Sequence, residues 1–395
     1  MAPKVVERKG THLVHADDHF RRSQDVAPPI SVTTTYLSPL PGEGGTSDYR
    51  NPARHVYSRY TQDNSTRAEH IISKLTDGFA LTYSSGLAAS FSALMFYRPK
   101  RIAITSGYHG CHATIQVYLK AAPHAKVIGI DDEFQSGDLC WLETPLNPTG
   151  ESRDIRYYAD KIHKVGGKIL VDSTFAPPPL QHPFKFGADC ILHSGTKYFG
   201  GHSDLLCGIL VVPTKEDWDV LQNDRTYLGN CLGSLESWLL LRSLRTFHLR
   251  VPRQSETAAA LVAWLDELAS TPSGQFFGKE RIPGGILIRV WHSSLQKKDE
   301  RGFEPSTQMT GGWNPTFSIQ LAKPEYAAWL PHRLNYFTPA TSLGGVESLV
   351  EYRASWDPTS DPRAVRLSIG VEDLADLKAD LGQALKQLVN APAKL

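Results

Sequence analysis

The sequence predicts an α/β fold: a domain built on a mostly parallel sheet, preceded by an N-terminal arm and followed by a smaller α+β domain. Apolar runs alternate with helical segments from about residue 65 to 215, and these runs are apolar throughout, as in buried parallel strands. The composition then shifts to shorter strands and turns beyond about residue 250. With 395 residues, 41% of them hydrophobic, the chain can bury more than one core.

The first 50 residues form the predicted arm. They are rich in Pro, Gly, Ser and Thr, as in Ala27-Pro28-Pro29 and Pro39-Leu40-Pro41-Gly42, and show no strong periodicity. Such a composition is typical of extended segments and loops. We expect residues 1–50 to lean on another surface, such as that of a partner subunit.

The predicted α/β domain covers residues 51–248. Helical segments such as 153–165 separate its strands, with apolar residues at helical spacing. In sheets of this kind ligands bind beyond the carboxyl ends of the strands, so the residues that follow each strand are candidates for a site. The predicted strands are 79–83, 101–105, 126–130, 139–143, 168–171, 190–193 and 206–212.

The predicted C-terminal α+β domain covers residues 249–395. Two helices, 235–249 and 257–270, flank its start, and we place the domain boundary near 245–255. A final amphipathic helix covers 374–388. The strands predicted between these helices are 284–291, 316–320 and 365–369.

The charge and cysteine patterns exclude several classes of partner. Lys and Arg number 42 against 41 Asp and Glu, so there is no basic excess for a nucleic acid. The longest uncharged run, 79–97, is too rich in Ser and Thr for a membrane helix, and residues 1–19 contain no apolar targeting segment. The five cysteines form no C-x-x-C pair, which suits buried thiols in a reducing compartment. We therefore expect a cytoplasmic protein.

Two charged residues follow predicted strands and together indicate a cofactor site. Taken singly, Asp172 and Lys197 are more often ordinary loop residues. A buried carboxylate needs a cation, however, and a partly desolvated lysine is a usable nucleophile and base. Asp172 could keep a pyridinium nitrogen protonated while Lys197 binds the ring covalently. The turn Ser85-Gly86-Leu87, which opens a helix, offers N–H groups to a phosphate, with Ser194 and Thr196 as hydroxyl donors.

Longer motifs resemble those of the transsulfuration, or Cys/Met metabolism, enzymes, and they occur in the same order. That family includes cystathionine γ-synthase, cystathionine lyases, methionine γ-lyase and O-acylhomoserine sulfhydrylases. The resemblance extends from about residue 10 to the end, and it implies the aspartate-aminotransferase-like fold (fold type I) with pyridoxal 5′-phosphate (PLP) as cofactor. The motifs are Tyr57-Ser58-Arg59-Tyr60, Ser84-Ser85-Gly86, Glu143-Thr144-Pro145-Leu146-Asn147-Pro148, Val171-Asp172, His193-Ser194-Gly195-Thr196-Lys197-Tyr198, Gly201-His202-Ser203-Asp204, Ser342-Leu343-Gly344-Gly345-Val346-Glu347-Ser348-Leu349 and Arg366-Leu367-Ser368-Ile369-Gly370.

The resemblance implies catalytic and cofactor-binding roles for individual residues. Lys197 matches the residue that binds PLP and moves protons between the substrate carbons. Asp172 matches the partner of the ring nitrogen, and Tyr108 matches an aromatic residue that stacks on the ring and assists proton transfer. The further implied cofactor contacts are Ser85, Gly86, Leu87, Asn147, Ser194 and Thr196.

The resemblance also implies contacts with a small amino-acid substrate and with a second subunit. Arg366 matches the arginine that binds the substrate α-carboxylate, for which a guanidinium has suitable bidentate geometry. Asn147 and Ser342 match further contacts with the cofactor and substrate. Tyr57 and Arg59 match residues that reach the phosphate of a neighbouring subunit. The implied assembly is a homotetramer of two dimers with shared active sites.

The loop that holds Tyr108 departs from the family pattern by one residue. The family usually has Tyr-Gly-Gly or Tyr-Gly-Cys here, whereas this chain has Tyr108-His109-Gly110-Cys111. We expect His109 and His112 to line the site or to pack against it. The sequence contains no tight Cys/His cluster and no His-Glu-x-x-His helix, so it predicts no metal site.

Two further departures concern the substrate pocket. Family members that act on cystathionine have a Glu immediately before the Ser-Leu-Gly-Gly motif, where it suits the distal ammonium of that substrate. This chain has the neutral Thr341 there. The family's usual Met-Thr-His stretch downstream is replaced within Tyr352-Arg353-Ala354-Ser355-Trp356-Asp357. Arg353 is then either a site that attracts an anionic second substrate or a surface residue.

These features favour γ-replacement on an O-acylated homoserine, such as O-acetylhomoserine, by a nucleophile other than cysteine. Sulfide, a small thiol and a stabilised carbanion all remain open, as does the acyl group. The alternatives are a cystathionine γ-synthase and a γ- or β-lyase of a sulfur amino acid. An alternative of another class is a catalytically silent binding subunit, against which the presence of Lys197, Asp172 and Arg366 argues.

Overall fold

The computed structural model describes residues 8–21, 23–40, 54–357 and 359–390, with the backbone alone for Asn390. Parts of the predicted N-terminal arm, residues 1–7, 22 and 41–50, lie outside the described residues. The described chain folds around a seven-stranded sheet and a five-stranded sheet, with a short two-stranded hairpin. The predicted α/β fold class, with a smaller C-terminal domain, is confirmed.

The large sheet contains the seven strands expected from the apolar runs. Its strand order is β1-β7-β6-β5-β4-β2-β3. Neighbouring strands from β6 to β3 are parallel, whereas β7 is antiparallel to both of its neighbours. The strands are β1 (Phe79–Tyr83), β2 (Arg101–Ala103), β3 (Lys126–Ile128), β4 (Asp138–Glu143), β5 (Lys168–Asp172), β6 (Cys190–Ser194) and β7 (Gly208–Val212).

Helices cover both faces of this sheet, because each central strand is apolar on both sides. In β5, Ile169 and Val171 face one core and Leu170 faces the other, as expected when successive side chains point in opposite directions. Helices α2, α5 and α7 pack on the first face, and α3, α4 and α6 on the second. The helices are α1 (Lys9–His15), α2 (Asp63–Thr76), α3 (Gly86–Tyr97), α4 (His109–Ala121), α5 (Ile155–His163), α6 (Lys215–Leu228) and α7 (Ser234–Leu244).

The smaller sheet has a separate core. Its strand order is β10-β11-β14-β13-β12, with apolar side chains from three helices packed against it. Only β12 and β13 pair in parallel among its described strands. The remaining elements are α8 (Phe247–Ala269), β8 (Phe276–Phe277), β9 (Ile282–Pro283), β10 (Leu287–Trp291), β11 (Thr316–Leu321), α9 (Pro324–Trp329), β12 (Thr338–Pro339), β13 (Leu349–Glu351), β14 (Ala364–Ser368) and α10 (Leu374–Asn390).

Helix α8 joins the two cores and differs from the predicted helices around residue 250. The chain turns at Arg245 and Thr246, which ends α7, and α8 then continues through the stretch expected to separate two helices. Phe247 and Val251 pack in the core of the large sheet, whereas Leu261 packs in the core of the small sheet. The two cores therefore meet along one continuous helix.

The beginning of the arm is helical and docked, in contrast to the extended segment that its composition suggests. Helix α1 buries Leu13 against the large core, and the buried Asp17 carboxylate lies 2.7 Å from both Arg67 and Arg245. Two buried cationic partners offset the cost of burying that charge. Residues 23–40 are irregular and mostly exposed, and Leu37 is 99% exposed.

Within the described ranges, no helix has the length and apolar character that crossing a membrane requires.

Candidate active site

A cavity of about 920 Å³ opens beyond the carboxyl ends of the central parallel strands. It brings together every predicted site residue except Tyr57 and Arg59. We call the side formed by the strand ends of the large sheet the inner wall, defined by Ser85, Gly86, Leu87, Tyr108, Glu143, Asn147, Asp172, Ser194, Thr196 and Lys197. We call the opposite side the outer wall, defined by Thr341, Ser342, Glu351, Arg353, Asp357 and Arg366.

Lys197 follows β6 and lies against the outer wall. Its Nζ donates a hydrogen bond to Ser342 Oγ at 2.7 Å. Burial and the Arg366 charge lower the pKa of Lys197 to about 8, and Glu351 opposes that shift. Ser342 has a φ of 85°, a sparsely populated conformation for a residue with a side chain, and this turn presents its hydroxyl to the lysine. The amine is thus closer to its neutral, reactive form than an exposed lysine is.

Asp172 is the last residue of β5 and is buried. Its Oδ1 accepts hydrogen bonds from the Thr174 hydroxyl at 2.6 Å and the Thr174 backbone N–H at 3.0 Å. Burial raises the pKa of Asp172, and the two hydrogen bonds from Thr174 oppose the rise. No cation pairs with Asp172 among the described residues, so a ring with a protonated nitrogen would supply the missing charge.

Glu143 is a site residue that the sequence analysis did not assign. It ends β4 beside Asp172, which is its register partner on β5. Its two carboxylate oxygens accept hydrogen bonds from the backbone N–H of Tyr108 at 2.8 Å and of Asn147 at 2.7 Å. Burial and the neighbouring Asp172 charge raise the pKa of Glu143. The rule that flagged Asp172, a charged residue at a buried strand end, would also have found Glu143.

The inner wall includes a cradle at the start of α3. The Ser85 hydroxyl accepts from the Ala88 N–H and caps the helix. The N–H groups of Gly86 and Leu87 make no hydrogen bond within the described residues, and both line the cavity. A Cβ at Gly86 would lie 3.2 Å from Ser194 Oγ, so a side chain would crowd the cradle. Free N–H groups at a helix start suit a phosphate.

Tyr108 presents a partly exposed ring to the cavity and immediately precedes α4. A Cβ at Gly110 would lie 2.4 Å from this ring, so the tight approach requires glycine there. His109 packs edge-on against the Tyr108 ring, with the ring centres 4.8 Å apart. His112 Nε2 is 2.8 Å from the Ser106 carbonyl. Both histidines therefore line the site, as expected, and each is in contact with the loop that carries Tyr108.

Arg366 lies on β14 and is buried and firmly held. One terminal nitrogen donates to Asn147 Oδ1 at 3.0 Å, and the other donates to the Ser342 carbonyl at 2.9 Å. The second nitrogen also lies 2.5 Å from Glu351, the register partner of Arg366 on β13. Burial lowers the pKa of Arg366 to about 10 and Glu351 opposes that shift, so the guanidinium stays charged near neutral pH.

Arg353 belongs to the site and is not a surface residue. Its side chain is 12% exposed and lies 3.7 Å from Glu351 and 4.0 Å from Asp357. Both separations exceed hydrogen-bond distance, and the buried Nε of Arg353 has no hydrogen-bond partner among the described residues. Thr341 is exposed at the cavity and contributes a neutral hydroxyl.

Tyr57 and Arg59 lie outside the cavity of their own chain. Arg59 donates to the Thr226 carbonyl at 3.0 Å, and its guanidinium lies 5.4 Å from the centre of the Tyr57 ring. The Tyr57 side chain is 40% exposed. Neither residue contacts the predicted phosphate cradle within this chain.

The described residues include no group of three or more His, Cys, Asp or Glu side chains arranged to hold a metal ion.

The sequence profile of the family described as "Cys/Met metabolism PLP-dependent enzyme" matches residues 10–386. The chain belongs to this family. A cystathionine gamma-synthase from Mycobacterium bovis is 34% identical, covering 82% of this chain and 84% of the relative. A cystathionine gamma-synthase/O-acetylhomoserine (thiol)-lyase from Bacillus subtilis is 29% identical, covering 92% of each chain. The crystal structure of cystathionine gamma-lyase from yeast superposes with a TM-score of 0.83 at 27% identity, covering 98% of this chain and 100% of that one.

Family membership establishes a PLP-dependent enzyme of cysteine and methionine metabolism. The family depends on PLP, and the residues of this Cys/Met metabolism enzyme fit that group. The buried Asp172, which has no cation partner among the described residues, would bind the ring nitrogen of PLP. The free N–H groups of the cradle would bind its phosphate, and the desolvated Lys197 would react with its carbonyl carbon.

Proposed function

We propose that the enzyme catalyses PLP-dependent γ-replacement on an O-acylated homoserine, with a neutral or anionic nucleophile rather than cysteine. Sulfide, a small thiol and a stabilised carbanion such as the enolate of a β-keto acid belong to this class. The observation that supports it is the charge arrangement of the outer wall. Its two carboxylates, Glu351 and Asp357, both lie within 4.0 Å of Arg353, and position 341 is a neutral threonine.

This arrangement disfavours a distal ammonium. Cysteine and cystathionine each bring an ammonium group in addition to the one that reacts with the cofactor. An ammonium in a partly buried pocket needs a carboxylate whose charge is not already compensated. Glu351 is shared by Arg366 and Arg353, and Asp357 faces Arg353, so the described outer wall offers no such carboxylate.

Arg353 also favours a nucleophile that brings oxygen acceptors. A buried guanidinium normally makes several hydrogen bonds, and a buried donor without a partner costs free energy. The Arg353 Nε has no partner among the described residues, and the side chain lines the cavity. A carboxylate or keto oxygen of a β-keto acid could accept a hydrogen bond from this Nε, whereas with sulfide the Nε would have to donate to water.

The inner wall accounts for the remaining chemistry in this proposal. When bound, PLP would accept the electron pair left at the substrate Cα. Lys197, with its lowered pKa, would hold the cofactor and then carry protons between Cα and Cβ. Arg366, held by Asn147 and Ser342, would bind the α-carboxylate in a fixed orientation.

We also infer a homotetramer of two dimers in which Tyr57 and Arg59 complete the phosphate site of the neighbouring subunit. Both residues lie outside the cavity of their own chain, and Tyr57 forms a β-bridge with Thr35 in the exposed segment that includes Val32 and Leu37. Apolar surface of this kind is typical of subunit contacts.

The test is a competition among nucleophiles. The PLP-loaded enzyme is incubated with excess O-acetylhomoserine and equal concentrations of cysteine, hydrosulfide, methanethiol and acetoacetate, and product masses are followed with time. We expect replacement products from hydrosulfide, methanethiol or acetoacetate to form faster than cystathionine. Fastest formation of cystathionine would identify a cystathionine γ-synthase, and release of 2-oxobutanoate alone would identify a lyase; either result contradicts the proposal.

A further inference from the structure

Glu351 lies where a substrate carboxylate is expected to lie. It faces Arg366 across the β13–β14 pair, and its carboxylate is 2.5 Å from a terminal nitrogen of that arginine. No other carboxylate forms an ion pair with Arg366 among the described residues. A carboxylate of the protein itself therefore occupies part of the guanidinium that is proposed to bind the substrate.

The Arg366 guanidinium is held in place, so the Glu351 carboxylate has to move when a substrate binds. Hydrogen bonds to Asn147 Oδ1 at 3.0 Å and to the Ser342 carbonyl at 2.9 Å hold both terminal nitrogens of Arg366. An α-carboxylate that arrives at Arg366 brings a second negative charge next to Glu351, and like charges in a partly desolvated cavity repel each other strongly. Relief requires Glu351 to move away from Arg366.

Arg353 is the acceptor for that movement. Its nearest terminal nitrogen is 3.7 Å from the same Glu351 oxygen that contacts Arg366. A displacement of about 1 Å would bring this oxygen to hydrogen-bond distance from Arg353. The Arg353 Nε is buried without a hydrogen-bond partner among the described residues, so the side chain can donate a further hydrogen bond.

We propose that Glu351 occupies Arg366 in the empty enzyme and transfers to Arg353 when the amino-acid donor binds. Glu351 is then an internal competitor of the substrate α-carboxylate, and Arg353 is a positioning residue that lowers the cost of displacing it. This inference rests on the role given to Arg366 in the proposed function, but not on the identity of the nucleophile. Glu351 also remains paired with a cation after the donor has bound.

The first test measures donor affinity without turnover. L-Norvaline is homoserine with a methyl group in place of the hydroxyl, so it matches the amino-acid part of the donor but has no leaving group, and n-butylamine is norvaline without its carboxylate. Both are titrated into the PLP-loaded enzyme, and the change in cofactor absorbance gives the dissociation constant. Glu351→Gln should tighten norvaline binding about fivefold, the lower range of coupling between sites, and leave butylamine binding unchanged. Unchanged or weaker norvaline binding would overturn the inference.

Matched variants separate charge removal from general damage. Glu351→Asp keeps the charge but withdraws it from Arg366, and should tighten norvaline binding in the same direction. Asp361→Asn removes a carboxylate that pairs with Arg363 and Gln320 outside the cavity, and should change nothing. Tightening by Asp361→Asn equal to that by Glu351→Gln would show a general charge effect and overturn the inference.

The second test is a double-mutant cycle. Arg353→Met should weaken norvaline binding when Glu351 is present, because the displaced carboxylate has lost its acceptor, but not in the Glu351→Gln background. Equal weakening in both backgrounds would mean that Arg353 contacts the donor directly, and the transfer would be wrong. Arg366→Lys provides the separate check: if it leaves norvaline binding intact, the α-carboxylate role in the proposed function has failed.

Discussion

The inner wall and the part of the outer wall around Arg353 differ in how their residues are held. On the inner wall, Asp172 ends β5 and Lys197 follows the adjacent parallel strand β6. Glu143 fixes Tyr108 and Asn147 by accepting backbone hydrogen bonds of 2.8 and 2.7 Å. On the outer wall, Arg353 follows a short strand of the small sheet and makes ion contacts of 3.7 and 4.0 Å. Rigid strand ends suit the chemistry that the family shares, whereas looser contacts suit differences in substrate.

This difference predicts two kinds of defect. A change in the inner wall should lower the rate with every nucleophile, because the shared proton transfers and the electron sink depend on it. A change at Thr341 or Arg353 of the outer wall should alter which nucleophile is used and leave the shared steps in place.

Lys197→Ala should abolish turnover with all nucleophiles, since both the covalent attachment of the cofactor and the proton carrier are lost. The measurement is product formation from O-acetylhomoserine, together with borohydride reduction and peptide mass mapping of the unmodified enzyme. Lys168→Ala is the control, because Lys168 pairs with Asp189 on the surface at 55% exposure. A reduced cofactor on any lysine other than Lys197 would show that the assignment is wrong.

Asp172→Ala should lower the rate by roughly a hundredfold or more, about 3 kcal/mol in barrier, the scale of losing one electrostatic catalytic group. The loss should be the same with every nucleophile, because Asp172 acts on the ring. Asp189→Asn is the matched control: Asp189 accepts from the Ile169 N–H at 2.9 Å and lies outside the cavity. Rates in Asp172→Ala equal to those of the unmodified enzyme would contradict the ring-nitrogen role.

Much of the inner wall follows from sequence, for a physical reason. Apolar runs indicate buried parallel strands directly, and the carboxyl ends of such strands meet at one edge of the sheet, so the sequence alone places Asp172 and Lys197 together. Glu143 was accessible to the same argument, because it directly precedes the turn that carries Asn147. Each of these residues is placed by the one strand that it ends or follows, and a strand can be recognised from local sequence.

The arrangement of the outer wall could not be predicted from the sequence, because it depends on contacts between segments that are distant along the chain. From the sequence alone, Arg353 could be either a pocket residue or a surface residue. The pairing of β13 with β14 places Glu351 against Arg366. The short 3-10 turn after β13 then leaves the Arg353 side chain only 12% exposed. The continuity of α8 across residue 249 escaped prediction for a related reason: packing against two cores overrode the weak local signals.

In the cofactor-free protein, Lys197→Met should change stability in a pH-dependent manner. The folded pKa of about 8 lies below the usual 10.5, so between these values the unfolded chain binds more protons and the unmodified protein gains stability as pH rises. Below pH 8 the variant should be the more stable by roughly 3 kcal/mol, at ~1.4 kcal/mol per pKa unit, and the difference should shrink toward pH 10.5. Urea unfolding at several pH values measures it; a difference independent of pH would contradict the lowered pKa.

Thr341→Glu should shift the preference toward cysteine by roughly a hundredfold in relative kcat/KM, because it supplies an uncompensated carboxylate for a distal ammonium. Arg353→Met should act in the same direction but less, since it frees Glu351 and Asp357 from their shared cation. Thr341→Gln is the neutral control of equal size. The competition among nucleophiles measures the ratio, and an equal shift in Thr341→Gln would mean that shape rather than charge sets the preference.

The smallest expected effect tests whether the inner wall is complete within one chain. Arg59 lies outside its own cavity, so we expect Arg59→Ala and Lys197→Ala each to inactivate the enzyme and to complement each other when mixed. In a mixed dimer, the subunit with Lys197 receives Arg59 from the Lys197→Ala subunit and becomes active, while the other site lacks both residues. Random exchange makes half of the dimers mixed, and each mixed dimer contains one functional site, so about a quarter of the unmodified activity per subunit should return.

Exchange is verified by mass spectrometry with a tag on one variant. If mixed dimers form and remain inactive, Arg59 serves its own subunit, through its contact with the Thr226 carbonyl, and the shared site is excluded.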